Sequence, residues 1–233
     1  MTPMTRAASR FAGRPWAIAP ARLDGLLGGI GGIGGIGALG IEASPPSWLP
    51  EPVGRTGYTV TEDGIAVLPV LGPLVARGDG LTALLGATEY SAIASALTEA
   101  ADDPAVRGIA LELDSPGGEV GGLFDLVESL AAIRARSGKP LWAVASECAL
   151  SAAYAIASVA DRILVTRTGE VGSVGVVAVH IDVSAADAMA GLSWTLIQAG
   201  ARKTDGTPHA RCRPLPPPIS RPTSTASTPC QPT

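Results

Sequence analysis

The stretch Arg107-Gly-Ile-Ala-Leu-Glu-Leu-Asp-Ser-Pro-Gly-Gly118 decides the fold. Its first half alternates, with Ile109, Leu111 and Leu113 on one side, the period of a strand with a buried face. Asp114-Ser-Pro-Gly-Gly118 then stops the alternation, because proline removes a backbone donor and paired glycines relax the backbone. Beyond the break, residues 119–136 carry Val120, Leu123, Phe124, Val127 and Leu130 as one helical stripe, closed by Gly138-Lys-Pro140. Leu141-Trp-Ala-Val-Ala145 follows as a buried strand. Strand, turn, helix and strand with short connections make a βαβ unit, which predicts an α/β domain with a largely parallel sheet.

The same alternation extends both ways. Upstream, Tyr58-Thr-Val-Thr61, the turn Glu62-Asp-Gly64 and Ile65-Ala-Val-Leu-Pro-Val-Leu71 read as two strands joined tightly. A helix is expected from about Thr82 to Ala101, carrying Leu84, Ile93 and Leu97. Downstream, Ser151 to Ala160 reads as a helix of small residues, and Ile163–Thr166 and Val174–Val179 as strands. Ser184 is expected to cap a short helix ending at Gly191, with Trp194-Thr-Leu-Ile197 as a last strand. One folded domain over residues 58–205 accounts for all of these.

Its flanks differ in character. Residues 1–57 read as an irregular arm, with a short helix expected from Trp16 to Leu27. Gly28-Gly-Ile-Gly-Gly-Ile-Gly-Gly-Ile-Gly37 is a low-complexity linker, too rich in backbone entropy to pack. It contains a formal G-x-G-x-x-G from Gly29 to Gly34, but no strand, helix or acidic residue frames it as a dinucleotide site. Residues 206–233 are rich in proline among Ser, Thr and Arg, and are expected to form a disordered tail.

Composition excludes several function classes. A net charge of −4 with no basic run gives no case for nucleic acid. The three cysteines lack metal-ligand spacing and an even framework, so no metal is expected and the compartment reads as reducing. Gly25 to Ile41 is apolar but about half glycine and too short for a comfortable membrane span. No secretory leader is evident. The expectation is a soluble, cytoplasmic protein without a membrane segment.

Three segments carry chemistry. Ser151 opens Ser151-Ala-Ala-Tyr154 where the chain leaves a strand for a helix, and a serine hydroxyl needs a neighbouring base to become a nucleophile. As a plain structural residue it would be a helix N-cap. Lys203, one of only two lysines, follows the apolar run from Trp194 to Ala201. Burial there would populate the neutral amine that a general base requires; in solvent it would be an ordinary surface lysine. Asp114-Ser-Pro-Gly-Gly118 could present backbone N–H groups to a substrate carbonyl, or be only a tight turn with Asp114 as helix cap.

In this order, Asp114-Ser-Pro-Gly-Gly118, Ser151-Ala-Ala-Tyr154, Gly172-Ser-Val-Gly-Val176 and Gly200-Ala-Arg-Lys203 resemble the Ser–Lys peptidases of the signal-peptide-peptidase A family. Within it the chain most resembles the bacteriophage capsid-assembly (head maturation) protease branch, related to lambda protease C. The resemblance spans residues 15 to about 208. It implies a Clp protease/crotonase-like spiral of βαβ units, with Ser151 as nucleophile and Lys203 as general base. The implied oxyanion donors are the N–H of Gly117 or Gly118 and the N–H of Ala152. It implies capsid, portal or scaffold proteins as substrates in the host cytoplasm or procapsid, a homo-oligomer, and no metal or organic cofactor. Family members continue into helices past the lysine, whereas here proline-rich text begins near His209–Arg211. The expectation is a frameshift or misassigned end there, and a second reading frame without helical continuation would refute it.

Other readings compete. His180 with Asp182 or Asp187 could complete a Ser-His-Asp triad, and Cys148 could be a thiol nucleophile, though packing is the commoner role for each. His209 falls in the tail. At the level of function, the alternatives are a non-catalytic assembly or scaffold-binding member, a bacterial signal-peptide-peptidase-like protease, and a crotonase-like acyl-thioester enzyme.

Overall fold

The computed structural model describes residues 15–18, 57–78 and 86–211. The Gly-Ile linker and residues 212–233 lie outside them, as does the first part of the helix expected from Thr82. Strand β3 (Ile65–Leu71) alternates as its sequence does, burying Ala66, Leu68 and Val70 on one face. Strand β2 (Thr59–Val60) pairs antiparallel with it across the Glu62–Gly64 turn, as expected. Strand β6 (Gly108–Ser115) lies parallel to β3, and β8 (Leu141–Leu150) lies parallel to β6. Strand β9 (Arg162–Val165) is parallel to the first half of β8, and β10 (Glu170–Gly172) to its last three residues.

Helices cross between the parallel strands. Helix α1 (Tyr90–Asp102) joins the β3 side to β6 and buries Ile93, Ala96, Leu97 and Ala100, the one-sided spacing of an amphipathic helix. Helix α2 (Leu123–Ser137) joins β6 to β8 and buries Leu123, Leu126 and Leu130. Its stripe is rotated from the expected one: Phe124 is 64% exposed, and Leu126 takes the core position. Gly138 ends α2 in a left-handed conformation (φ 64), its N–H donating to Arg134 O at 3.1 Å. Helix α3 (Ala152–Ala157) follows β8, and α4 (Ser184–Met189) lies further on. Ser184 is not the cap of α4: its N–H donates to the Asp182 carboxylate at 2.9 Å.

A second sheet forms at the C-terminal ends of these strands. After Gly72, β3 leads into β4 (Leu74–Val75), and after Pro116, β6 leads into β7 (Gly117–Glu119). Strands β4 and β7 pair in parallel, with β5 (Thr88–Glu89) beyond β4. The β3–β4 and β6–β7 repeats thus each place a long strand in one sheet and a short strand in the other, as in the spiral expected of the chain. Residues 15–18 form strand β1 (Pro15–Ile18) rather than helix, paired antiparallel with β7 and with β11 (Val177–Ala178). Leu68, Leu111, Leu113, Ile93, Leu97, Leu130, Leu141 and Ile156 fill one core between the long strands and the helices. No helix among the described residues is long and apolar enough to cross a membrane.

Past β10 the packing loosens. Only Val177–Ala178 of the expected 174–179 strand is realised, and Trp194–Ile197 makes no strand. Ile197 is 97% exposed, because no sheet edge lies alongside to pair this segment and bury it.

Candidate active site

Strand β8 ends at Leu150 and α3 begins at Ala152, so Ser151 alone makes the turn between them. Its backbone sits at φ 54 and ψ −111, a left-handed region that costs a non-glycine residue about 1–3 kcal/mol. Neighbours hold it there. The Ser151 N–H donates to Gly172 O at 2.7 Å, and its carbonyl accepts from Ala155 N–H at 3.0 Å. The hydroxyl reaches Gly175 O at 3.4 Å, and the residue is only 7% exposed. Ser151 holds the N-cap position of α3, yet its side chain makes no capping bond to that helix.

The Asp114–Gly118 segment meets Ser151 because β6 and β8 run side by side. Register shifts between Leu113, opposite Ala145, and Ser115, opposite Ala149, so β8 bulges just before the serine. A Cβ on Gly117 (φ 102) would lie 3.0 Å from Leu150 O and 2.1 Å from Ala17 O. One on Gly118 would lie 1.9 Å from Leu74 O, so both positions require glycine for close approach. The Ser115 hydroxyl fastens this turn, donating to Gly72 O at 2.7 Å and accepting the Gly117 N–H at 3.2 Å. Gly118 lies in β7 between β1 and β4. Ala152 is the first residue of α3, whose opening N–H groups have no intrahelical acceptor.

Ser151, Ala152 and Gly117 are therefore neighbours; Lys203 makes no hydrogen bond to any of them. It is exposed in a run of turns, with its N–H donating to Gly200 O at 3.2 Å. Its amine makes no hydrogen bond or ion pair among the described residues. The apolar run expected to desolvate it is itself open to solvent at Trp194, Leu196 and Ile197.

The competing residues are engaged elsewhere. His180 Nε2 lies 2.9 Å from Thr207 O, and Asp187 is bound to His209 rather than to His180. The side-chain and backbone hydrogen bonds of Ser184 hold the Asp182 carboxyl below the usual aspartate range. Cys148 is buried, with its thiol 3.4 Å from Asp114 Oδ1. Among the described residues, no group of three His, Cys, Asp or Glu side chains is placed to hold a metal.

Sequence reading missed the Ser115 clamp and the bulge in β8, which no local pattern announces. It did single out Gly172-Ser-Val-Gly-Val176, whose Gly172 and Gly175 carbonyls now prove to bracket Ser151; Ser173 between them also has a positive φ of 52.

Comparison with known proteins bears on this arrangement. The chain is 45% identical over 148 residues to capsid assembly protease C of Escherichia phage lambda, covering 64% of this chain and 33% of that protein. It is 44% identical over 144 residues to the head-tail preconnector protein GP5 of Enterobacteria phage P21, covering 62% and 28%. The chain thus spans about a third of the length of these relatives. Among solved structures, an enoyl-CoA hydratase from Mycobacterium avium subsp. paratuberculosis K-10 is a remote likeness, with a TM-score of 0.35 and 23% identity over 49% of each chain. Residues 133–216 match peptidase family S49. That match spans both Ser151 and Lys203.

Proposed function

We propose that the chain is a serine endopeptidase that uses Ser151 as nucleophile and Lys203 as general base. The observation that carries this reading is the backbone of Ser151: a buried serine in a left-handed conformation at a strand-to-helix junction, beside a glycine turn. A serine serving only as a side-chain cap or surface residue has no use for that strain, whereas a nucleophile aimed at a substrate carbonyl does.

In the proposed reaction the Ser151 hydroxyl attacks the peptide carbonyl and its proton passes to the neutral amine of Lys203. The oxyanion is held by the Ala152 N–H together with the N–H of Gly117 or Gly118. The amine's proton then goes to the leaving peptide nitrogen, and water, deprotonated by the same amine, hydrolyses the acyl-enzyme. Such a base must be withdrawn from water, so the working arrangement is one in which the Lys203 turn closes over Ser151. Gly117 N–H would likewise have to leave Ser115 for the substrate if it is the second donor.

By similarity to the two phage proteins, the proposed substrates are capsid, portal or scaffold proteins, cut in the host cytoplasm or procapsid by a homo-oligomer. Solvent exposure of Lys203 favours a second reading, a non-catalytic assembly subunit. Co-expression with neighbouring capsid and scaffold proteins, followed by intact mass, separates the two. Cleavage by the parent that is lost in Ser151→Ala and in Lys203→Ala supports the dyad. Loss in Ser151→Ala alone removes Lys203 from the role, and a folded parent that never cleaves favours the assembly subunit.

A further inference from the structure

We infer that Asp187, His209 and Trp194 form a clasp that positions the loop bearing Lys203; the catalytic consequence rests on the proposed role of Lys203. The chain from Leu192 to Arg211 has no helix or strand, and an ordered stretch of that kind must be fixed by particular contacts. These contacts concentrate at its base. The rings of Trp194 and His209 stack with centroids 4.0 Å apart and planes 21° from parallel. His209 Nδ1 lies 2.8 Å from Asp187 Oδ2, and the two side chains are only 26% and 15% exposed. Both exposures are lower than those of the Arg134–Asp161, Arg136–Asp102, Arg202–Asp205 and Arg211–Asp182 pairs, so water competes less for this contact than for those.

Adjacent links fasten the same base to the residues before α4. Val183 N–H donates to Pro208 O at 2.8 Å, His180 Nε2 lies 2.9 Å from Thr207 O, and Arg211 stands 4.0 Å from Asp182. Between Leu196 and Gly206 the polar contacts seen among the described residues stay within the loop. Arg202 pairs with Asp205 at 2.7 Å, Thr204 bonds to Gln198, and Gly200 and Gly206 take positive φ values of 104 and 78. Lys203 lies between those glycines, in a loop folded on itself and closed at its neck. The neck therefore sets where the amine can go.

His209 and Asp187 are accordingly positioning residues: they act on the reaction through the placement of Lys203. Nδ1 donates to the carboxylate in the neutral ring, so an amide oxygen can replace that carboxylate, whereas a methyl group cannot.

Amide hydrogen exchange of the full chain, read by mass spectrometry over residues 195–208, tests the clasp in four variants. His209→Ala removes both stack and hydrogen bond and is expected to speed exchange there about tenfold or more. His209→Phe keeps a ring, and Asp187→Ala keeps the stack; both should fall between. Asp187→Asn should stay within about twofold of the parent. Exchange in β6 and β8 should not change in any of them. Unchanged exchange over 195–208 in His209→Ala, or Asp187→Asn as fast as Asp187→Ala, overturns the clasp.

On a cleaved substrate, His209→Ala should lower kcat with little change in KM, and Asp187→Asn should retain the parent's rate. Faster exchange with unaltered kcat overturns the positioning role. If Lys203→Ala is as active as the parent, the base assignment falls instead, and the exchange data still decide the clasp.

Discussion

Replacing Ser151 by glycine should raise stability while removing the nucleophile. The φ of 54 and ψ of −111 cost a residue with a Cβ about 1–3 kcal/mol, a cost that glycine escapes. Against this, glycine loses about 0.5–1 kcal/mol more conformational entropy on folding. Alanine is the proper reference, because it keeps the strain and, like glycine, forfeits the long hydroxyl contact to Gly175 O. The difference favours Ser151→Gly over Ser151→Ala by about 1 kcal/mol. For a chain of this size that corresponds to about 2–4 °C in Tm. Urea titrations followed by circular dichroism, with equal slopes required in the two variants, measure the difference at fixed temperature, and calorimetry gives the midpoints. If Ser151→Gly melts at or below Ser151→Ala, the backbone at 151 is not strained, and the argument from strain to nucleophile fails.

The other expectations are simpler. Gly118→Ala places a methyl 1.9 Å from Leu74 O and should destabilise by about 3 kcal/mol, seen as a lower urea midpoint. Phe124→Gln should change stability by less than about 0.5 kcal/mol, since the ring lies outside the core; a larger loss would put the α2 stripe where the sequence had suggested. Asp103 accepts the Ala105 N–H at 2.8 Å and the Tyr58 hydroxyl at 2.9 Å, which together hold its carboxyl below the usual range. A lowered carboxyl pKa stabilises the fold above the unfolded value, about 4, and that contribution disappears as pH falls through the folded value. Asp103→Asn should therefore flatten the decline of stability below about pH 4 and leave its slope near neutrality unaltered.

The strand-turn-strand and βαβ pattern was readable because burial on one face of β3 and β6 imposes alternation on a short run of sequence. Helix phase was less so: Phe124 and Leu126 both fit an apolar stripe, and only the packed neighbours choose between them. Strand β1 depends on β7 and β11, far along the chain, and nothing within Pro15–Ile18 encodes those partners. Trp194–Ile197 shows the converse, an apolar run with strand propensity and no edge to join. At the site, residue types pointed to Ser151 and the glycine turn, whereas the φ of Ser151 is a property of the assembled chain. The burial expected around Lys203 required neighbours that the described residues do not supply, and nothing in the proline-rich text near His209 announces its contacts with Asp187 and Trp194.

The pairing of β10 with the end of β8 also has a consequence in time. The backbone N–H of Ser151 is satisfied by Gly172, a residue made later than the whole of α3 and β9. During synthesis, the strands and helices up to residue 165 can assemble behind the ribosome while the serine still lacks the contact that fixes its turn. A released chain truncated before Gly172 would thus keep every element through β9 but lack the acceptor for the Ser151 N–H. The surroundings of Ser151 are thus completed only by Glu170–Gly172 and by Gly175 beyond it, both later in the chain than β9.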